Sequence, residues 1–426
     1  MAFTTEKKLR NQMMYQIFVR NFSEEGTFKA VIPQLDRIKA LGTDIVWLMP
    51  IHPIGKAQRK GSLGSPYAIS DYRAVNPEFG TVDDLRELTG EVHKRGMRLI
   101  IDVVYNHTSP DSVLSREHPE WFFHKPDGSF GNRVGDWTDI IDLDYSNKDL
   151  WKYQADSLKM WAEIVDGFRC DVASLIPLEF WLYAREEVAK VRPDAIWLSE
   201  SVEPGFITYL RGCGLTALSD SEIFEAFDLS YDYDINWLFT AFLEGEGSLK
   251  DYVEAVNRQE YTYPGNYVKL RFLENHDQTR ARFRIPDLAA LKSWTAFMFF
   301  QKGMPLVYCG QEYAVSHLPS LFDKDTVKME PEGEDLSPLI ARLAEIKRDP
   351  VFTDSSYEVR SYRERVIIAQ HRSGGDKLTG VFPIDGKTSL VPVSLEDGIY
   401  DELVSQTKVE VFRGGVQCFG KPMILK

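Results

Sequence analysis

Apolar and polar positions switch between two periods along most of this chain. Short, nearly continuous apolar runs occur at 14–19 (MYQIFV), 44–48 (DIVWL), 98–104 (RLIIDVV), 166–171 and 195–199. Between them the apolar positions fall at helical spacing. Ile32, Leu35, Ile38 and Leu41 mark a helix within 29–41, and further helices are predicted at 82–95, 149–163 and 178–190. Thr81 is placed to cap the second of these and Gly96 to stop it. Strands that are apolar on both faces belong to parallel sheets covered by helices on each side. More strands are predicted near 216–218, 268–273 and 305–308, and more helices at 250–257, 288–300 and 339–347. Eight strand–helix units in succession predict an α/β fold, the (β/α)8 TIM barrel.

The pattern breaks twice. Residues 105–147 are rich in Pro, Gly, Asp and aromatics and carry no long helical period. A structureless loop of that length is unusual in a compact domain, so the stretch reads as a small inserted domain B after the third strand. After residue 350 the pattern turns to strands at 357–371, 377–383, 389–393 and 408–412, punctuated by Gly374-Gly375, Asp385-Gly386 and Gly414-Gly415. The expected organisation is a catalytic barrel over 1–104 and 148–349, the insert at 105–147, and a C-terminal all-β sandwich domain over 350–426.

Composition narrows the class of partner. The chain has 426 residues, 43% hydrophobic and 27% charged, and its 50 basic against 64 acidic residues give a net charge of −14. A surface of that sign repels phosphate backbones and anionic lipid, so neither nucleic acid nor membrane is expected as a partner. A neutral ligand meets no such penalty. Cys170, Cys213, Cys309 and Cys418 stand far apart without metal-ligand spacing and are expected as free thiols. The first residues show no apolar core of a signal peptide, which predicts a cytoplasmic protein.

In a barrel, chemistry gathers at the carboxyl ends of the strands. Those ends carry Asp102, Asn106 and His107; Arg169 and Asp171; Glu200; and Asn275, His276 and Asp277. Singly, each is an ordinary cap, turn or core residue. Together, several carboxylates on one rim suit glycoside hydrolysis, in which one protonated carboxyl serves the leaving oxygen and one carboxylate faces the anomeric carbon. Arg169 lies two residues before Asp171, on the same face of its strand, and favours an ionised nucleophile there. Glu200 follows Trp197 and Leu198 with no cation adjacent in sequence, which suits a proton donor.

These segments resemble the ordered motifs of the α-amylase family, glycoside hydrolase family 13. The matching stretches are DVVYNH at 102–107, GFRCDVAS at 167–174, WLSES at 197–201 and FLENHD at 272–277. GSPYAISDYRAVNPEFGT at 64–81, IDLDYSN at 141–147 and GMPLVYCGQE at 303–312 add to them, and the likeness covers about residues 12–345. The resemblance implies Asp171 as nucleophile, Glu200 as general acid/base and Asp277 as the third carboxylate. It implies Tyr67, His107, Arg169 and His276 as substrate-binding groups and Asp102 as a structural aspartate beside them. Arg280 is left between a pocket residue and an exposed residue at a helix start.

The departures matter as much. The Lys-His pair of many calcium-dependent amylases is missing after Asp171, where Ser174 and Leu175 stand. Asn106 and Asp142 are the positions where Ca2+ would bind, yet no cofactor is expected to be required. The motifs look nearest the neopullulanase and maltogenic-amylase branch, but the barrel pattern starts near residue 12, without that branch's N-terminal domain. The implied activity is a retaining α-glucoside hydrolase acting on α-1,4-linked glucans or maltooligosaccharides. An α-1,6-glucosidase or a glucan transglycosylase is the alternative. A non-catalytic amylase-like binding protein would show a membrane span and a broken triad, and a sugar-phosphate enzyme a Gly-rich loop late in the barrel. Oligomeric state is left open.

Overall fold

A computed structural model describes residues 4–135 and 137–426. In chain order its first strands are β1 (Met14–Ile17), β2 (Ile45–Leu48), β3 (Arg98–Val103), the short β4 (His107–Thr108) and β5 (Ile141–Asp142), then β6 (Gly167–Cys170), β7 (Ile196–Ser199), β8 (Leu229–Tyr231), β9 (Lys269–Arg271) and β10 (Met304–Tyr308). All but β4 and β5 pair in parallel and close into the expected eight-stranded barrel, β10 lying against β1.

Strand alternation builds two apolar layers from these short runs. Met14, Ile45, Trp47, Ile100, Ile196, Leu198, Leu229, Leu270 and Leu306 fill the barrel interior. Their neighbours Tyr15, Val46, Leu99, Ile101, Phe168 and Val307 face the surrounding helices. The same alternation turns Gln16, Asp102 and Arg169 inward near the carboxyl end, where Gln16 lies opposite Trp47 and Asp102 opposite Arg169. Gly167 opens β6 at φ +157°, and a Cβ there would lie 2.2 Å from the Ile196 carbonyl oxygen, so only glycine lets β6 and β7 approach this closely.

The helix Val82–Lys94 begins at a capping box in which Thr81 and Asp84 satisfy each other's backbone N–H groups. The sequence places a strand at 216–218, but that segment forms none. Leu218 instead donates its N–H to the Ser174 carbonyl at 2.8 Å, tying down the loop after β6, and the strand forms at β8.

Between β3 and β6, β4 and β5 form an antiparallel pair with His107 opposite Asp142. The chain ends in eight strands: β11 (Ser356–Tyr362), β12 (Val366–Ser373), β13 (Asp376–Pro383), β14 (Thr388–Pro392), β15 (Gly398–Glu402), β16 (Thr407–Phe412), β17 (Gly415–Phe419) and β18 (Met423–Leu425). They form one antiparallel sheet in the order β11-β12-β13-β18-β15-β16-β17-β14. Val366 and Ile368 near one end share a core with Val391 and Val416 near the other, so the sheet folds over itself in two layers. The run 357–371 is not one strand but the hairpin β11–β12, turning on Arg363 and Glu364 at φ 52° and 53°.

This sheet is bonded into the barrel. Phe300, which ends the helix Leu288–Phe300, packs on Phe352 and Phe382 with ring centres 5.5 and 5.4 Å away. His371 Nε2 donates to the Phe300 carbonyl at 2.8 Å.

Candidate active site

The site grows from Arg169. Fully buried on β6, its guanidinium contacts three carboxylates at once. Nη1 lies 2.9 Å from Asp102 Oδ1 and 2.8 Å from Asp171 Oδ1, and Nη2 lies 2.9 Å from Glu200 Oε2. The last contact is an ion pair without the alignment of a hydrogen bond. Nε donates to the Tyr231 hydroxyl at 3.2 Å. The sequence gives Glu200 no adjacent cation, but the barrel brings one from the neighbouring strand.

Glu200 stands just beyond β7, its N–H donating to the Cys170 carbonyl at 3.0 Å. Its Oε2 also accepts the Val172 backbone N–H at 2.7 Å. Val172, directly after Asp171, reaches that direction only at φ 35°, a left-handed conformation costly for a β-branched residue. Burial drives the Glu200 pKa well above the usual carboxylate range against the pull of Arg169, and the charges of Asp171 and Asp277 push the same way. Burial thus favours the protonated form of Glu200.

Asp277 faces the other side. Its side chain is 40% exposed and opens to solvent, with His276 Nε2 3.1 Å from its Oδ2. The protein around it raises its pKa through desolvation, with Arg169 opposing. His276 stacks on Tyr67 with ring centres 5.4 Å apart and meets Gln16 Nε2 at Nδ1, 2.7 Å away. Burial first, and Arg169 second, hold the His276 pKa well below the ordinary value, so the ring is neutral. The Tyr67 hydroxyl donates to Asp102 Oδ2 at 3.1 Å, which ties Asp102 to the site as a support. His107, on β4, puts Nε2 4.0 Å from Asp171 Oδ2, and Trp137 lies beside its ring.

The fold thus gathers Asp171, Glu200, Asp277, Tyr67, His107, Arg169, His276 and Asp102 on one rim. Arg280 is neither exposed nor free: it is fully buried, pairs with Glu274 at 2.6 Å and donates to the Cys309 carbonyl. Sequence reasoning missed Gln16, Trp137 and the Val172 N–H. Of these only Gln16, a polar residue inside an apolar strand, left a signal.

Asn106 and Asp142 line a cavity of about 560 Å³ beside this rim, together with Arg133, Lys148, Trp151 and Leu175. Asp142 Oδ1 is buried there without a hydrogen-bond partner. Its other oxygen accepts the Arg133 N–H at 2.7 Å, with the Arg133 guanidinium 3.6 Å away. A calcium ion needs six to eight oxygen ligands. Two side-chain donors beside a guanidinium and an ammonium do not fit that requirement, since positive charge is already built in. Among the described residues no group of three or more His, Cys, Asp or Glu side chains could hold a metal ion.

Comparison with known proteins now decides the family. The alpha amylase catalytic-domain model matches residues 11–133 and 115–358, and the bacterial alpha amylase C-terminal domain matches 358–425. The chain belongs to the alpha-amylase family. Among solved structures it is similar to an alpha-amylase from Lactobacillus plantarum, at 47% identity over 99% of both chains with a TM-score of 0.96. It is also similar to the maltogenic alpha-amylase AmyB from Thermotoga neapolitana, at 34% identity over 98% of this chain and 99% of that one, with a TM-score of 0.87. Among curated proteins it is 29% identical to the alpha-1,4-glucan:maltose-1-phosphate maltosyltransferase of Myxococcus xanthus, over 73% of this chain and 48% of that protein. The chain spans about half the length of that maltosyltransferase. Among the described residues no helix is long and apolar enough to cross a membrane.

Proposed function

We propose that this amylase-family enzyme is a retaining α-glucoside hydrolase acting on α-1,4-linked maltooligosaccharides or glucans. The observation that carries this is one guanidinium shared by Asp171 and Glu200. Two carboxyls held by a single planar group suit the roughly 5–5.5 Å spacing of a retaining pair rather than the wider gap that admits a water in inverting enzymes.

In the first step Asp171 attacks the anomeric carbon while protonated Glu200 gives its proton to the departing glycosidic oxygen. A covalent glycosyl ester forms on Asp171 and the Glu200 carboxylate is left. In the second, Glu200 takes a proton from water, the water oxygen bonds to the anomeric carbon, and Asp171 leaves. Arg169 stabilises the Asp171 carboxylate before attack and the Glu200 carboxylate left after proton transfer. Asp277, His276, His107 and Tyr67 hold hydroxyls and one face of the reacting sugar. No step uses a metal.

The second reading is transfer, in which a sugar hydroxyl replaces the water. The maltosyltransferase relative favours it. Incubation with maltooligosaccharides, pullulan and panose, read by chromatography, separates the two. Shortened chains alone support hydrolysis, and products longer than the substrate support transfer. The absence of any product change would refute both.

A further inference from the structure

We propose that Gln16 is a positioning residue of this site: its side-chain amide donates to His276 Nδ1 and fixes the imidazole as the Nε2–H tautomer, with the proton aimed at the sugar-binding groups. The role in catalysis rests on the function proposed above; the tautomer rests on the Tyr67 proton lying toward Asp102 and is read separately by NMR.

Gln16 is fully buried on β1, turned into the barrel, with Nε2 2.7 Å from His276 Nδ1. On the far side of the ring two oxygens approach Nε2. One is Asp277 Oδ2 at 3.1 Å, a carboxylate that can only accept. The other is the Tyr67 hydroxyl, which contacts both His276 Nε2 and, at 3.1 Å, Asp102 Oδ2; with its proton turned to Asp102 it accepts from His276. With Tyr67 and Asp277 both accepting, the proton sits on Nε2. A neutral ring then carries a lone pair on Nδ1, and that lone pair needs a donor. Gln16 is the buried donor at that atom.

Its own Oε1 is buried without a partner. The reversed amide would put Oε1 against Nδ1, force the proton there and leave Nε2 bare between two acceptors. The Trp47 ring, edge-on to His276 at 5.8 Å, and Tyr67, stacked on it, keep the imidazole from turning. The charged groups around it are Arg169, Asp171 and Asp277, and Arg169 opposes a second proton on the ring.

Glutamate at position 16 would reverse the arrangement, because a carboxylate accepts where the amide donates. The test is nitrogen-15 NMR of the full-length enzyme labelled at histidine, with the His276→Asn variant assigning the signal among the eight histidines. In the wild type, His276 is expected as Nε2–H with bare Nδ1 and no titration from about pH 5 to 8. In Gln16→Glu the proton is expected on Nδ1, with kcat on maltooligosaccharides down about 10–100-fold and KM changed less, the range for a group that orients a working imidazole. Gln16→Leu, checked for folding by thermal melting, should lose a similar share of kcat. Protonated Nδ1 in the wild type, or wild-type kcat in a folded Gln16→Leu enzyme, would overturn the proposal. If instead Asp171→Asn kept full activity, the catalytic reading would fail while the tautomer result stood.

Discussion

Replacing Glu200 by Gln isolates one proton. Both fixed neighbours of Oε2, the Val172 N–H at 2.7 Å and Arg169 Nη2 at 2.9 Å, carry hydrogens. A glutamine must therefore turn its carbonyl oxygen to them and its NH2 to the cleft, preserving the shape while removing the acid. General acid catalysis contributes about 10²–10⁴-fold, equal to about 2.7–5.4 kcal/mol at 1.36 kcal/mol per tenfold. The assay compares kcat/KM for a maltooligosaccharide with that for a nitrophenyl α-maltoside. The sugar leaving group needs the proton and should suffer the full loss, whereas nitrophenolate leaves without it and should suffer much less. The pH profile adds a sign. Activity needs protonated Glu200, so kcat/KM should fall as pH rises through its folded pKa. Burial moves that limb above the ordinary glutamate value of about 4.3. The limb should vanish in the variant. Equal losses on both substrates, or an alkaline limb that survives, would remove Glu200 as the acid.

Asp171→Asn should cost at least about 10⁴-fold in kcat, and proton NMR of fresh wild-type product should show the α-anomer first; an initial β-anomer would remove Asp171 as nucleophile. Asp277→Asn should be severe for sugar and nitrophenyl leaving groups alike, and a loss confined to one of them would contradict its role in both steps. EDTA should leave activity and melting temperature unchanged, because Arg133 already supplies positive charge beside Asp142; loss restored by calcium would refute this. Gly167→Ala should destabilise the enzyme by about 1–3 kcal/mol or more through overpacking, since its Cβ would press on the Ile196 carbonyl. An unchanged denaturation midpoint would count against that account.

The barrel was legible because its strands are buried on both faces and its helices carry clear stripes, so each period announces its element. The rim was legible because Asp171, Glu200, His276 and Asp277 stand where apolar runs end. What escaped depends on contacts between distant segments. The ion pair of Arg169 with Glu200 crosses from β6 to the end of β7, and only the register of the barrel creates it. Gln16 looked like a polar interruption of β1; that strand pairs with β10 and β2, so its reach to His276 in the loop after β9 is made by the side chain and shows only in the closed barrel. The β11–β12 turn escaped because Arg363 and Glu364 adopt positive φ without a glycine, so their residue types gave no warning. The segment 216–218 misled because a loop tied down by a hydrogen bond buries Ala217 and Leu218 as readily as a strand does.

The contact between the folded sheet and the barrel carries a consequence for how this chain can be cut and joined. Phe300, Phe352, Phe382 and His371 form a continuous aromatic seam, and Arg10 near the chain's start donates to the Thr353 carbonyl across it. Beginning and end of the catalytic framework are thus clasped at the same place where the sheet docks. Excising the sheet would strip water-excluding cover from the barrel's own helices and leave the clasp dangling. The tail is therefore better regarded as the outer wall of the barrel's core than as a detachable accessory, and grafting another module in its place would require matching that seam first.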